Sequence, residues 1–364
     1  MRLGIPLSFL FAVGVLVVAA CGSHESAVAP DTLVPVEEHK SVGNVGNAAG
    51  AREQPHRSVT AERPPNEVVA LRTPVVVSDA AEKQVLYEDV VQEMFAEIVP
   101  LVLTVRGLPR VDIDPGFMDR EEFVVYLSNV VAKDYDRTDI ELDNIEWKLL
   151  GILAPGEDIV TLQLDLLGQD VLGFYDEDEK TMFVVTDDVL DTIKLRFVLA
   201  HEYVHALQDH FFSLGGLEEE VGTNNIDALN AFVALVEGDA TVTGISAYYR
   251  SIALSELDDV GIEADGPTAR HSSRAAGFLS ELLKFSYEAG SAFVAQMVKV
   301  GGWERVNEVY SDLPQSTEQI LYPDKYLDGE LPRNLDFPDF SNTALPGWVE
   351  TRRNVMGAFF LDLL

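Results

Sequence analysis

The chain has 364 residues, 47% of them hydrophobic, with 26 basic and 61 acidic side chains, a net charge of -35 at pH 7 and a single cysteine. That length and apolar content supply a sizeable core, in one large domain or two intimately packed ones. The charge excludes nucleic acid, whose phosphates would be repelled, and the lone Cys21 excludes an intrachain disulfide. The acids are spread rather than blocked, which reads as a solvated acidic surface.

Met1-Arg2 is a minimal positive region. Leu3 to Val18 is apolar, interrupted only by Gly4, Pro6, Ser8 and Gly14, and Ala19-Ala20 then precede Cys21. This order is that of a secretory signal peptide over residues 1–21, which is left out of the reading of the fold. Val18-Ala19-Ala20-Cys21 resembles the bacterial lipobox, in which the Cys is lipidated and begins the mature protein. The resemblance implies an acyl anchor at Cys21, outside the cytoplasm, on the cell membrane or the outer membrane. No later stretch reads as apolar and uninterrupted enough to span a bilayer. Residues 22–80 carry Pro30, Pro35, Pro55, Pro64, Pro65 and Pro74 and little periodicity, and read as a flexible tether.

The folded part is expected over residues 81–364. Val85, Val90, Val91, Met94, Phe95 and Ile98 mark a helix from Ala81 to Val105, which Pro100 bends or ends. Arg120 to Asp134 and Ile140 to Ile152 read as two more helices, so residues 81–160 form a helical N-terminal part. From Gln163 the pattern changes. Leu172 to Tyr175 and Thr181 to Val185 flank the polar run Asp176 to Lys180 and read as a β-hairpin. An extended peptide can pair with the strand that ends near Val185; equally, the two strands only build the fold.

The most informative segment follows. His201-Glu202-Tyr203-Val204-His205 is an H-E-x-x-H pentapeptide, and Thr192 to Ala200 leads into it without Gly or Pro. On a helix, residues four apart share a face, so both imidazoles can reach one metal ion while Glu202 points beside it. Two imidazoles to hold the ion and one carboxylate to take a proton from water are the minimum apparatus of a zinc hydrolase. The alternative is a buried helix whose imidazoles are satisfied by hydrogen bonds. Burying two His and an acid without partners is costly, and a metal supplies the partner. The helix is expected to run to about Phe212 and stop at Gly215-Gly216.

A stable zinc site needs a third protein ligand. A metzincin would continue H-x-x-G-x-x-H, but Gln208 and Phe211 occupy those places, and His210 lies on another face. An aspzincin shows G-T-x-x-D. Gly222-Thr223-Asn224-Asn225 begins that way, but Ile226 follows and Asp227 comes one place late. Glu237 is the better candidate, a lone acid in the apolar helical run Ala231 to Thr241, with Gly238 and Ala240 beside it to let two helices approach. Glu218-Glu219-Glu220 is a charge run that reads as solvated. Asp239 and Asp209 each read either as a residue that orients a ligand His or as a surface acid.

Two helical imidazoles with a Glu from a second helix resemble the gluzincins, the class of thermolysin and the zinc aminopeptidases. The resemblance implies that His201, His205 and Glu237 hold one Zn²⁺ and that Glu202 is general base. Zinc aminopeptidases also carry a Y-x-x-G segment after the Glu ligand, and Tyr287 and Gly290 match it. This implies that Tyr287 steadies the oxyanion of the transition state; the other reading is a core Tyr with a tethered hydroxyl. The aminopeptidase motif G-x-M-E-N is missing, since Gly116-Phe117-Met118-Asp119 only mimics it far upstream. Over residues 165–330 the chain also resembles a broad group of uncharacterised bacterial proteins that combine H-E-x-x-H-x-L-Q-D, A-L-x-E-G-D-A and S-T-E-Q-I-L-x-P-x-K-Y segments. A His often stands in that group where this chain has Tyr322. Arg305 and Lys325 read as binders of a substrate carboxylate or as surface pairs.

The expected fold class is α+β, a mainly helical zincin-like domain with a small sheet before the metal helix and its catalytic part over residues 161–364. The expected function is hydrolysis of peptide or protein substrates by a membrane-tethered endopeptidase. The rival readings are a catalytically silent zinc-binding or scaffold lipoprotein, and a structural protein in which the pentapeptide is accidental. The apolar ending Met356 to Leu364 reads as a domain that continues further.

Overall fold

A computed structural model describes residues 15–17, 80–134, 136–186, 192–222, 224–251, 273–333, 335, 347 and 349–364. Cys21, the expected tether up to residue 79 and most of the expected signal peptide lie outside the described residues. The chain divides into a unit of Ser23–Lys83, of which only a helix start is described, and a unit of Met1–Gly22 with Gln84–Leu364. The described elements of the larger unit are mainly helical with one small sheet, so the α+β class holds.

In chain order the elements begin with β1 (Val15–Val17) and α1 (Ala80–Arg106). Pro100 does not end α1, contrary to one of the two expectations for it. The proline sits on the exposed face, while Val91, Phe95, Ile98, Val99 and Val102 form the buried stripe. The helix closes where Gly107 turns to φ 75° and returns its N–H to the Leu103 carbonyl. Next come β2 (Pro115–Asp119) and α2 (Arg120–Asp134). Asp119 and Glu122 cap that junction reciprocally, each carboxylate accepting the other's backbone N–H at 2.8 and 2.9 Å. The third expected helix is α3 (Arg137–Leu149), capped by Asp136 and shorter at its C-terminal end than anticipated. A helix not anticipated, α4 (Ile159–Asp170), follows, capped by Asp158.

The expected hairpin is β3 (Val171–Asp176) and β4 (Thr181–Thr186), antiparallel with Phe174 opposite Phe183. Asp176 makes the turn by accepting the N–H groups of Asp178 and Glu179, each at 2.8 Å. β2 pairs with β4 in parallel, and the sheet order is β1-β3-β4-β2. Beyond it come α5 (Thr192–Phe212), α6 (Leu214–Val221), α7 (Ile226–Ser251) and α8 (Arg274–Val309), the last interrupted at Gly301-Gly302. α9 (Thr317–Leu321), α10 (Pro323–Leu327) and α11 (Ala358–Leu363) close the chain. α5 ends at Phe212 as expected, but the stop is Ser213 at φ 58°; Gly215-Gly216 already belong to α6.

The packing runs sheet, α5, α7, α8. Glycines stand at these contacts, and at two of the three they remove a clash. A methyl on Gly173 of β3 would come within 2.8 Å of Val198 on α5. One on Gly244 of α7 would lie 3.5 Å from the His201 backbone. One on Gly290 of α8 would overlap the Ala234 carbonyl of α7 at 2.0 Å, and one on Gly238 would overlap the Gly290 backbone at 2.2 Å. Contrary to the expectation of no further span-like stretch, α7 is long and apolar enough to cross a membrane by length and composition. Here 89% of its most apolar window is buried against neighbouring helices.

A methyl at Gly290 must push α7 and α8 apart, because both colliding groups are backbone. Gly290→Ala should destabilise the protein by about 3 kcal/mol or more, beyond ordinary overpacking. Gly277→Ala, on the same helix with nothing within 4 Å, should be neutral or add up to about 1 kcal/mol. Thermal unfolding of the two variants checks this.

Candidate metal centre

His201 and His205 lie one turn apart on α5, on the face that meets α7. Their Nε2 atoms are 3.0 Å apart and their rings stand edge to face at 79°. Glu237 enters from α7, its Oε2 lying 3.1 Å from His201 Nε2 and 3.7 Å from His205 Nε2. All three side chains are buried, and their ligating atoms lie within 4.8 Å of one another, a group that can hold a metal ion.

The three groups hold opposed charges in a medium that penalises charge. Burial lowers His201 to about 4, outweighing the hydrogen bond to Glu237 that raises it. Burial also lowers His205, but the charge and hydrogen bond of Glu237 outweigh it and raise His205 to about 9. Burial raises Glu237, yet the two imidazoles bring it down to about 2. Without an ion the site therefore favours an ionised Glu237 facing two imidazoles, of which His205 is the more basic.

Glu202 points past this group. Both of its carboxylate oxygens are buried, and no side chain among the described residues hydrogen-bonds to them; the Tyr175 backbone comes near enough to act on the carboxyl. Burial pushes its pKa well above the ordinary range and Glu237 adds to this, while His205 and the Tyr175 backbone oppose it. Gly173 of β3 passes directly over it: a methyl there would sit 3.8 Å from Glu202 Cγ.

The other expected site residues fall in different places. Tyr287 is on α8, half-buried, with its ring 6.1 Å from the His201 ring. Gln208 Oε1, not an acid, meets His205 Nδ1, at 2.8 Å. Asp239 does not meet an imidazole; it forms a buried ion pair with Arg106. Asp209 accepts from Tyr175 at 2.8 Å and from Lys180 at 2.5 Å. Asp227, the displaced aspzincin acid, is held by Thr317 at the other end of α7. Glu219 and Glu220 are exposed on α6, and Tyr322 is exposed after α9. Arg305 pairs with Glu308, and Lys325 with Glu318 and Glu330.

The strand ending near Val185 is not free for a peptide. β4 is the inner strand, with β3 on one side and β2 on the other, so its backbone groups are already paired. The strand over Glu202 is β3, whose outer side carries Val15–Val17 in antiparallel register. Gln208, which meets His205, lay in a quoted motif without a role; Tyr310, which meets Gln208, and Arg106, which meets Asp239, gave no signal at all. No family model, curated protein or solved structure matches this chain.

A cation must displace the His205 proton. Metal affinity should therefore rise about tenfold per pH unit up to about pH 9 and level off above it. The sign for the metal-free protein is opposite. Because the folded pKa of His205 is raised, its stabilisation is complete below about 6.5 and is lost as pH rises through about 9. Chelator-treated protein should lose melting temperature over that interval relative to Glu237→Gln, and metal-loaded protein should not.

Proposed function

We propose that the chain is a zinc-dependent peptidase of gluzincin type, tethered outside the cytoplasm through Cys21. One observation carries this reading: two imidazole nitrogens and a carboxylate oxygen converge in the core beside a second buried carboxylate with no side-chain partner among the described residues. Tetrahedral zinc, with bonds of about 2.1 Å, sets neighbouring ligand atoms roughly 3.4 Å apart. The separations here are 3.0, 3.1 and 3.7 Å, so the ion fits with small side-chain adjustments. A nitrogen and oxygen donor set without thiolate suits zinc.

Zn²⁺ bound by these residues would supply a Lewis acid that brings its water near neutral pKa. The chain's own residues do the rest. Glu202 has a carboxylate beside the ligands with no competing side-chain donor among the described residues. It takes a proton from the attacking water on one oxygen and delivers it to the leaving amine. A nearby cation offsets the burial that otherwise keeps this carboxyl protonated. Tyr287, on the His201 side, donates its hydroxyl proton to the carbonyl oxygen as negative charge develops there. The buried setting strengthens each of these contacts. A peptide adds as an extended strand along the outer side of β3, the lane beside Gly173 and Glu202 that Val15–Val17 takes here. An antiparallel segment on that strand supports this placement over the paired strand β4.

Purified protein should contain close to one zinc per chain. Glu202→Gln should keep that zinc and lose hydrolysis of a peptide library by at least about 100-fold, the scale of a general-base contribution. Tyr287→Phe should lower kcat with zinc content unchanged. Zinc without hydrolysis in the native protein would point to the silent scaffold, and no zinc would overturn both readings.

A further inference from the structure

A chain of buried polar contacts leads from the end of α1 to His205. Arg106, fully buried, holds Asp239 with two prongs, Nε to Oδ1 at 2.9 Å and a terminal nitrogen to Oδ2 at 3.1 Å. Trp303 and Phe212 cover the guanidinium, with ring centres at 4.9 and 5.8 Å. The Tyr310 hydroxyl donates to Asp239 Oδ2 at 2.9 Å. The same hydroxyl accepts from Gln208 Nε2 at 2.9 Å, and that nitrogen also donates to the Val236 carbonyl at 2.9 Å. Gln208 Oε1 faces His205 Nδ1 at 2.8 Å.

Each direction in this series is forced by the one before it. The charge of Arg106 keeps Asp239 an acceptor, so Tyr310 must donate to it. The Tyr310 oxygen is then left to accept from Gln208. Both N–H groups of Gln208 are engaged, so its oxygen is turned toward His205. That oxygen can only accept, so Nδ1 of His205 keeps its hydrogen, and it is Nε2 that gives up its proton and turns a lone pair to the His201 and Glu237 side. A flipped amide would set its oxygen against the Val236 carbonyl and would leave the hydrogen on Nε2, where it blocks a metal ion.

We propose that Arg106, Asp239, Tyr310 and Gln208 are positioning residues that fix the tautomer of His205 and thereby control metal affinity. The proposal rests on the metal reading above for what His205 binds, and goes beyond it in assigning Tyr310, Gln208 and the Arg106–Asp239 pair a role at that ligand. Loss of a group that orients a ligand His weakens metal binding by about 10- to 100-fold.

The test compares native protein, Tyr310→Phe, Gln208→Ala and the double variant. Zinc affinity is read by chelator competition, and folding of the metal-free forms by circular dichroism. Each single variant should bind zinc about 10- to 100-fold more weakly. The double variant should be no weaker than Gln208→Ala, because both act through one contact; independent structural damage would multiply instead. Nitrogen chemical shifts of His205, taken above the pH at which it loses its second proton, should show the Nδ1–H tautomer in native protein and a mixture in Tyr310→Phe. Unchanged affinity and shifts in a folded Tyr310→Phe protein, or multiplying losses, would overturn the proposal. Native protein that binds no zinc would fail the metal reading, and the nitrogen shifts would still decide the tautomer.

Discussion

The carboxylate of Glu237 is the constraint around which the molecule is arranged. It sits on the most deeply buried helix, α7, with almost no exposure of its side chain. An isolated ionised carboxylate in such surroundings would cost several kcal/mol even after relaxation. It stays ionised because α5 brings two imidazoles to within hydrogen-bond or ion-pair distance of it. The attraction couples the two central helices, and it makes the same three atoms a receptor for a cation. Replacing a shared proton by a divalent ion exchanges one compensating charge for a larger one in the same place.

The backbone makes that arrangement possible. Three glycines, Gly173, Gly238 and Gly290, stand where β3, α5, α7 and α8 approach each other too closely for a side chain, and Gly244 stands where α7 runs close beside the His201 backbone. Gly244 lets α7 pass the His201 backbone, which carries Glu237 to the imidazoles. The pair Gly238 and Gly290 draws α8 in, which places Tyr287 beside His201. Gly173 lowers β3 onto Glu202. The groups assigned to chemistry are thus mounted on helices and a strand rather than on loops, and the geometry is held by packing that has little room to relax.

What was legible in the sequence was local. The spacing of His201 and His205 determines a shared helical face whatever surrounds it. Glu237 was legible because an acid in an apolar run needs a partner. The hairpin at β3 and β4 followed from alternation around a polar turn. The failures came from long-range pairing. β4 looked available because its pairing with β2 joins Pro115 to Met182, a match that no local pattern announces. Asp239 lay in a quoted motif, yet its partner Arg106 is 133 residues away. Tyr310 follows the break at Gly301-Gly302 and reaches the ligand shell only because the chain turns there. α4 was missed because it runs into β3 with no connecting loop, Asp170 ending the helix and Val171 beginning the strand.

The most direct measurement is anomalous diffraction from crystals of zinc-loaded protein at the zinc absorption edge. One ion is expected, bonded at about 2.0–2.2 Å to Nε2 of His201, Nε2 of His205 and a carboxylate oxygen of Glu237, with Glu202 unbonded beside it. An ion held without Glu237, or bound elsewhere while these three side chains remain paired with one another, would contradict the three-ligand centre.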